Sequence, residues 1–105
     1  MIPASIIETI KITVHSVLPG ARIILFGSMA KGTAVKHSDY DLLVISPANI
    51  PMQQKMKWRS IISKKLVYAL DAPIDLLLNS EEEVERKKKL LGNAVRWAMN
   101  EGVEI

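Results

Sequence analysis

The sequence contains no cysteine, which excludes a disulfide framework, a zinc ribbon and thiol catalysis together. It is also poor in aromatics: two Trp, two Tyr and one Phe in 105 residues. It has no internal repeat and no low-complexity stretch. No apolar run approaches the roughly 20 residues that cross a bilayer. The segment Met1-Ile2-Pro3-Ala4-Ser5-Ile6 carries no basic stretch of the secretory type. These absences predict a soluble, cytoplasmic chain. Neither sign of charge dominates, since 14 Lys and Arg against 11 Asp and Glu leave +3. With 49% of residues hydrophobic and 24% charged, the composition is that of a folded protein rather than a disordered one.

A chain of this length is expected to form one domain over residues 1–105 and to bury on the order of 65% of its unfolded surface. It has no room for a second, substrate-gripping domain. Any large substrate must therefore bring part of the site with it. Much of the basic excess sits in Arg86-Lys87-Lys88-Lys89, behind Glu81-Glu82-Glu83. Acids in the first turn with bases further along suit a helix macrodipole, and no aromatic is interleaved as in a single-strand binder. The run reads as a solvated helix face, and direct nucleic-acid binding is not expected.

Ile6, Ile7, Ile10, Val14, Val17 and Leu18 recur at three- and four-residue steps, predicting a helix over 4–18 that ends before Pro19-Gly20. Arg22 to Phe26 and Tyr40 to Ser46 are short β-branched and aliphatic runs, read as strands buried on both faces. Trp58, Ile61, Ile62, Leu66, Ala69 and Leu70 predict a helix from Met52 to about Leu70, closed by Asp71-Ala72-Pro73. Ile74 to Leu78 predicts a third strand. Ser80 and Glu83 fit a capping box that opens a last helix over about 81–100, and Val103-Glu104-Ile105 can return as a small strand. The fold class is α/β (α+β), with a small mixed sheet flanked by helices. His15, Trp58, Trp97 and the methionines read as packing or surface residues.

The segment with chemical content runs from Gly27 to Leu42. A Gly-Ser pair straight after a buried strand, followed by a helical turn, frees backbone N–H groups and a hydroxyl where a phosphate can approach without meeting a Cβ. The same pair also makes an ordinary turn. Asp39 and Asp41, at i and i+2 on an extended segment, point to one side about 7 Å apart. Such like charges need a cation or a basic group between them, and hard oxygen donors suit Mg²⁺. Without one they form a solvated loop. Asp75 lies inside the apolar run Pro73-Ile74-Asp75-Leu76-Leu77-Leu78, where burial is costly unless the acid is paired or metal-bound. Either its strand is an edge with Asp75 in water, or the strand lies beside the second one and Asp75 shares a face with Asp39 and Asp41. Three carboxylates on one face can hold two divalent ions, the equipment for in-line attack on a nucleotide phosphorus. Lys36 and His37, just before the acids, read as loop residues within reach of a phosphate.

Gly27-Ser28, Gly32 and Ser38-Asp39-x-Asp41-Leu42, with Asp75 in an apolar strand 34 positions after Asp41, together resemble the signature of the DNA polymerase β-like nucleotidyltransferase superfamily. The resemblance spans roughly residues 5–105. It implies a mixed sheet carrying the three acids on one face with helices over the other, and an NTP with two Mg²⁺ ions as ligands. It further implies that Gly27 and Ser28 bind the β- and γ-phosphates, with Lys31, Gly32 and Ser38 in the same nucleotide-binding set. Asp39 and Asp41 would hold both metals. Asp75 would hold the catalytic metal and help deprotonate the acceptor hydroxyl. Lys31 stands where many members have Arg, which keeps the charge and loses the bidentate fork. Mg²⁺ over Mn²⁺ follows from ligand hardness and cellular supply.

The size and the Glu101-Gly102-Val103 ending are similar to the minimal branch of the superfamily, the antitoxin halves of two-gene toxin–antitoxin pairs. Their partner is a HEPN-type ribonuclease toxin, and the branch activity is transfer of AMP from ATP to a tyrosine hydroxyl of that partner. The resemblance thus implies a Mg²⁺-dependent protein adenylyltransferase. Two alternatives remain open at this point: an antitoxin that neutralises its partner by contact alone, and nucleotidyl transfer to a small molecule or an RNA end.

Overall fold

The computed structural model describes residues 2–32 and 39–105. Strands β1 (Arg22–Phe26), β2 (Tyr40–Ser46), β3 (Ile74–Ser80) and β4 (Val103–Glu104) form one sheet in the order β3-β2-β1-β4. β1 is antiparallel to both β2 and β4, whereas β2 and β3 are parallel. Parallel neighbours need a long crossover, and helix α3 (Met52–Leu70) supplies it. The Ile23–Phe26 and Leu42–Ile45 runs are buried throughout, as central strands packed on both faces require.

On one face Ile23, Leu25, Leu42, Val44, Leu76 and Leu78 pack against Ile10 and Val14 of α1 (Ala4–Val17) and against Ile62 and Leu66 of α3. On the other, Ile24, Phe26, Leu43 and Ile45 lie under Val84 of α4 (Glu81–Lys87) and Val95 and Ala98 of α5 (Ala94–Glu101). Helices therefore cover both faces, where the resemblance implied one. The alternation of β2 explains this: its even and odd positions are equally apolar from Leu42 to Ile45, and each set needs a partner.

The expected single helix over 81–100 is two helices. Ser80 opens α4 with the capping box: its Oγ accepts the Glu83 N–H at 3.1 Å and Glu83 Oε1 accepts the Ser80 N–H at 3.1 Å. α4 ends at Lys87, and a turn over 88–93, with Gly92 at φ +79°, separates it from the next helix. Asn93 Oδ1 then accepts the Val95 N–H at 2.9 Å and starts α5 afresh. The break leaves Val95 and Ala98 over β1 and β2. β3 runs two residues past Leu78, to the Ser80 that caps α4.

Ala69, on the apolar side of α3 by its spacing, is exposed. Of the basic run at 86–89, expected on a helix face, only Arg86 and Lys87 lie in α4, and Lys88 and Lys89 follow it: Arg86 and Lys89 are exposed, Lys87 donates to Asn79 Oδ1 at 2.7 Å, and Lys88 pairs with Glu85 at 2.9 Å. Arg22 ties three elements together, bonding Glu81 of α4 at 2.9 Å and Glu104 of β4 at 2.8 Å.

Candidate functional site

In the strand register Asp41 stands between Phe26 of β1 and Asp75 of β3. Neighbouring strands lie about 4.8 Å apart, so the parallel pairing puts the Asp41 and Asp75 carboxylates side by side. Both belong to the α4/α5 face, by alternation with Leu43 and with Leu77. They lie at the end of that face. Asp41 is half-buried, while Asp39, just ahead of β2, and Asp75 are exposed. Of the two expectations for Asp75, both are partly met: β3 is an edge strand, and Asp75 also shares the face of Asp41.

Burial, followed by the charges of Asp75 and Asp39 and hydrogen bonding with Asp75, pushes the Asp41 carboxyl above the usual carboxylate range. The fold thus brings like charges together at a cost that a cation would remove. Gly27 backs this arrangement. It has φ +73°, and a Cβ at that position would overlap the Asp41 carboxylate at Oδ2. Only glycine lets the β1–α2 turn pass so close. Helix α2 (Gly27–Lys31) follows at once, with Ser28 half-buried in it and Gly32 closing it at φ +72°.

Among the described residues no group of three or more His, Asp or Glu side chains is close enough to hold a metal ion. Asp41 and Asp75 converge; Asp39 contributes charge to Asp41 and does not complete a three-ligand cluster. The donor set nevertheless fits a hard divalent cation: two carboxylates in register, and a cradle next to them kept open by the missing Cβ of Gly27. Ser38, together with Lys36 and His37, lies outside the described residues.

Lys31 is engaged elsewhere than with the acids. Its Nζ is 2.9 Å from Glu101 Oε2 and lies over the Trp97 ring, 6.0 Å from the centroid. Neither α5 residue has a sequence signal that links it to Lys31, because the contact depends on the turn over 88–93 that sets the course of α5. Trp97 also meets Phe26 edge to face, with ring centroids 5.4 Å apart and planes at 77°. Since Phe26 is the register partner of Asp41, the Trp97 ring belongs to the surroundings of the acids. Packed on Phe26 and 45% exposed, Trp97 is the packing and surface residue expected from the sequence.

No helix among the described residues is long and apolar enough to cross a membrane. A comparison with functionally characterised protein sequences finds no match. Among solved structures, a toxin–antitoxin complex with AMP-PNP contains a chain that superposes with a TM-score of 0.65 at 22% identity, covering 92% of this chain and 69% of that one. A chain of the MntA–HepT toxin–antitoxin complex gives 0.61 at 18% identity, covering 97% and 70%. A complex of tri-AMPylated Shewanella oneidensis HEPN toxin with its MNT antitoxin gives 0.60 at 18% identity, covering 95% and 68%. At these identities the likeness is one of fold. The sequence itself matches the nucleotidyltransferase domain family over residues 6–97, from α1 into the first turn of α5, and the chain belongs to that family.

Proposed function

We propose that the chain is a Mg²⁺-dependent adenylyltransferase that moves AMP from ATP to a tyrosine hydroxyl of a HEPN-type partner toxin in the cytoplasm, and so acts as its antitoxin. The observation that carries this reading is the Asp41–Asp75 register beside Gly27: a row of carboxylates on a strand end, next to a turn that admits a phosphate. Support for the donor and acceptor comes from the fold's likeness to chains of complexes that contain AMP-PNP and a tri-AMPylated HEPN toxin.

In this reading Asp41, Asp75 and Asp39 would hold two Mg²⁺ ions, which would supply charge neutralisation for the triphosphate and a lowered pKa for the attacking hydroxyl. Gly27 and Ser28 take the β- and γ-phosphates, with Lys31, Gly32 and Ser38 beside them. The acceptor oxygen forms a bond to the α-phosphorus, the bond from that phosphorus to the pyrophosphate oxygen breaks, and the hydroxyl proton passes to Asp75. Asp75 is the exposed member of the pair, open to an acceptor from solvent. Catalysis here is positioning plus charge stabilisation. Bound to Glu101, Lys31 reaches a phosphate only by exchanging that partner.

The test is to incubate the purified chain with the product of its neighbouring gene, labelled ATP and Mg²⁺. Label on a tyrosine of the partner is the expected result, lost in Asp39→Asn/Asp41→Asn. A folded complex that carries no label, and in which the double variant still neutralises the partner, would replace this reading by neutralisation through contact.

A further inference from the structure

Trp97 is 45% exposed on a protein with few aromatics, although Phe26, the residue it packs against, is 3% exposed. It lines a cleft of about 370 Å³ on α5 with Asn93, Arg96, Asn100 and Glu101, inside the range of about 300–1,000 Å³ that small-molecule sites occupy. Two short steps connect this cleft to the acids. Phe26 and Asp41 are paired residues of an antiparallel ladder, about 5 Å apart, and the Trp97 ring is 5.4 Å from the Phe26 ring. A second path runs along α2, whose axis covers about 6 Å between Gly27 and Lys31, and Lys31 lies over the same indole. The Trp97 ring therefore has both the neighbour of Asp41 and the end of the helix that starts at Gly27–Ser28 beside it, where the base of a nucleotide whose phosphates met that turn could lie.

The polar groups of the cleft are of a kind that reads a base. Asn93 Oδ1 is occupied by the Val95 N–H, which leaves its amide N–H groups free to donate. Arg96 is fixed by donation to the Lys88 carbonyl at 3.3 Å. Asn100 is exposed and presents an amide with both a donor and an acceptor, the combination that pairs with the N6 and N7 edge of adenine.

We infer that the Trp97 cleft is the base subsite of the donor nucleotide: adenine stacks on the Trp97 indole and the Asn100 amide reads its edge. This rests on the nucleotide reading proposed above and adds to it a specificity determinant. Base–aromatic stacking is tolerant of base identity, so Trp97 supplies affinity and Asn100 supplies the choice of adenine.

The test separates base from phosphate. In a Trp58→Phe background, Trp97 is the remaining tryptophan and its emission reports the cleft. Mg²⁺-ATP and Mg²⁺-tripolyphosphate are titrated in parallel by calorimetry and fluorescence, with thermal melts confirming that each variant is folded. ATP should bind and quench the emission, while tripolyphosphate leaves it unmoved. Trp97→Leu, which keeps apolar bulk against Phe26, should weaken ATP by about tenfold or more without changing tripolyphosphate, and Trp97→Phe should recover most of the loss. Asn100→Ala should erase a preference for ATP over GTP. ATP binding with unmoved emission and an unaffected Trp97→Leu variant would overturn the base subsite and leave the nucleotide reading standing. Heat from neither ligand would overturn both.

Discussion

Asp41 and Leu43 are two residues apart on the same strand and the same face, yet one ends up in a half-open row of acids and the other in a closed core. The difference is made by what lies above them. Val84, Val95 and Ala98 close over Leu43 and Ile45, and this cover does not bury the strand end, where Asp75 and Asp39 surround Asp41 instead. In the covered region hydrophobic burial favours the fold. At the open end like charges oppose it, and the same sheet carries both because the covered part is much the larger. Such an imbalance is expected where a site is arranged for a ligand that the free protein must do without.

Breaking the open end should abolish chemistry and spare the fold. Asp39→Asn/Asp41→Asn is expected to lower AMP transfer by on the order of 10³-fold, with a melting temperature equal to or above that of the wild type, as paired turnover and calorimetric measurements would show. Breaking the covered end should do the reverse. Leu43 is fully buried, and Leu43→Ala should cost about 2–5 kcal/mol. That is roughly 10–30 °C of melting temperature for a domain of this size, with nucleotide affinity retained below the new transition. Gly27→Ala bridges the two regions. Its Cβ must displace the Asp41 carboxylate, and misplacement of about 1 Å is worth on the order of 10² in rate; a drop in turnover much larger than the drop in Mg²⁺-ATP affinity is the outcome to look for. Smaller still is Asn93→Ala. It removes the cap of α5 for about 1 kcal/mol, and it should loosen Trp97 and Glu101 together, visible as a change in Trp97 emission before any loss of transfer.

The legibility of this molecule follows the range of the interactions involved. Strands β1 and β2 could be read from their unbroken apolar runs, and α3 from its period, because burial of neighbouring residues leaves a local pattern. The Ser80–Glu83 box was legible since both of its hydrogen bonds span three residues. The break over 88–93 leaves no local pattern, because acids, bases and apolar residues continue at helical spacing from α4 into α5 and Gly92 alone hints at a turn. The pairing of Asp41 with Asp75 was legible only as a condition, that β3 lie beside β2. Lys31 shows the opposite limit. Its type and position suggested phosphate, yet its partner in this structure is Glu101, brought near by the course of α5. A contact across 70 positions leaves no trace in either local segment.

The smallest expected effect sharpens the comparison most, because it has opposite signs in two carboxylates. Glu83 belongs to the helical cover itself, in the first turn of α4, and pairs with Lys55 of α3. Burial alone would raise its pKa, but the hydrogen bond from Lys55, the Ser80 backbone N–H and the charges of Lys55 and Lys87 hold it down to about 2. A carboxyl lowered on folding stabilises the protein above its unfolded value of about 4.5, and that contribution disappears as the pH falls toward 2. Asp41 is raised, so its ionisation works against folding. The cost is absent below about 3.9 and is present in full once the pH exceeds the raised value. Both groups keep solvent contact, which limits each effect to about 1 kcal/mol or less. Melting curves from pH 2 to 7 should therefore show Glu83→Gln flattening the acid limb between about 4.5 and 2. Asp41→Asn should raise the melting temperature at pH 7 by a few degrees and leave it unchanged near pH 3. Saturating Mg²⁺ should remove the advantage of Asp41→Asn at pH 7 by stabilising the wild type alone, since a cation bound between carboxylates is linked to folding through the folded state only. An advantage that persists in Mg²⁺ would mean that the repulsion at the strand end is not relieved by a metal, and that the row of acids serves another cation.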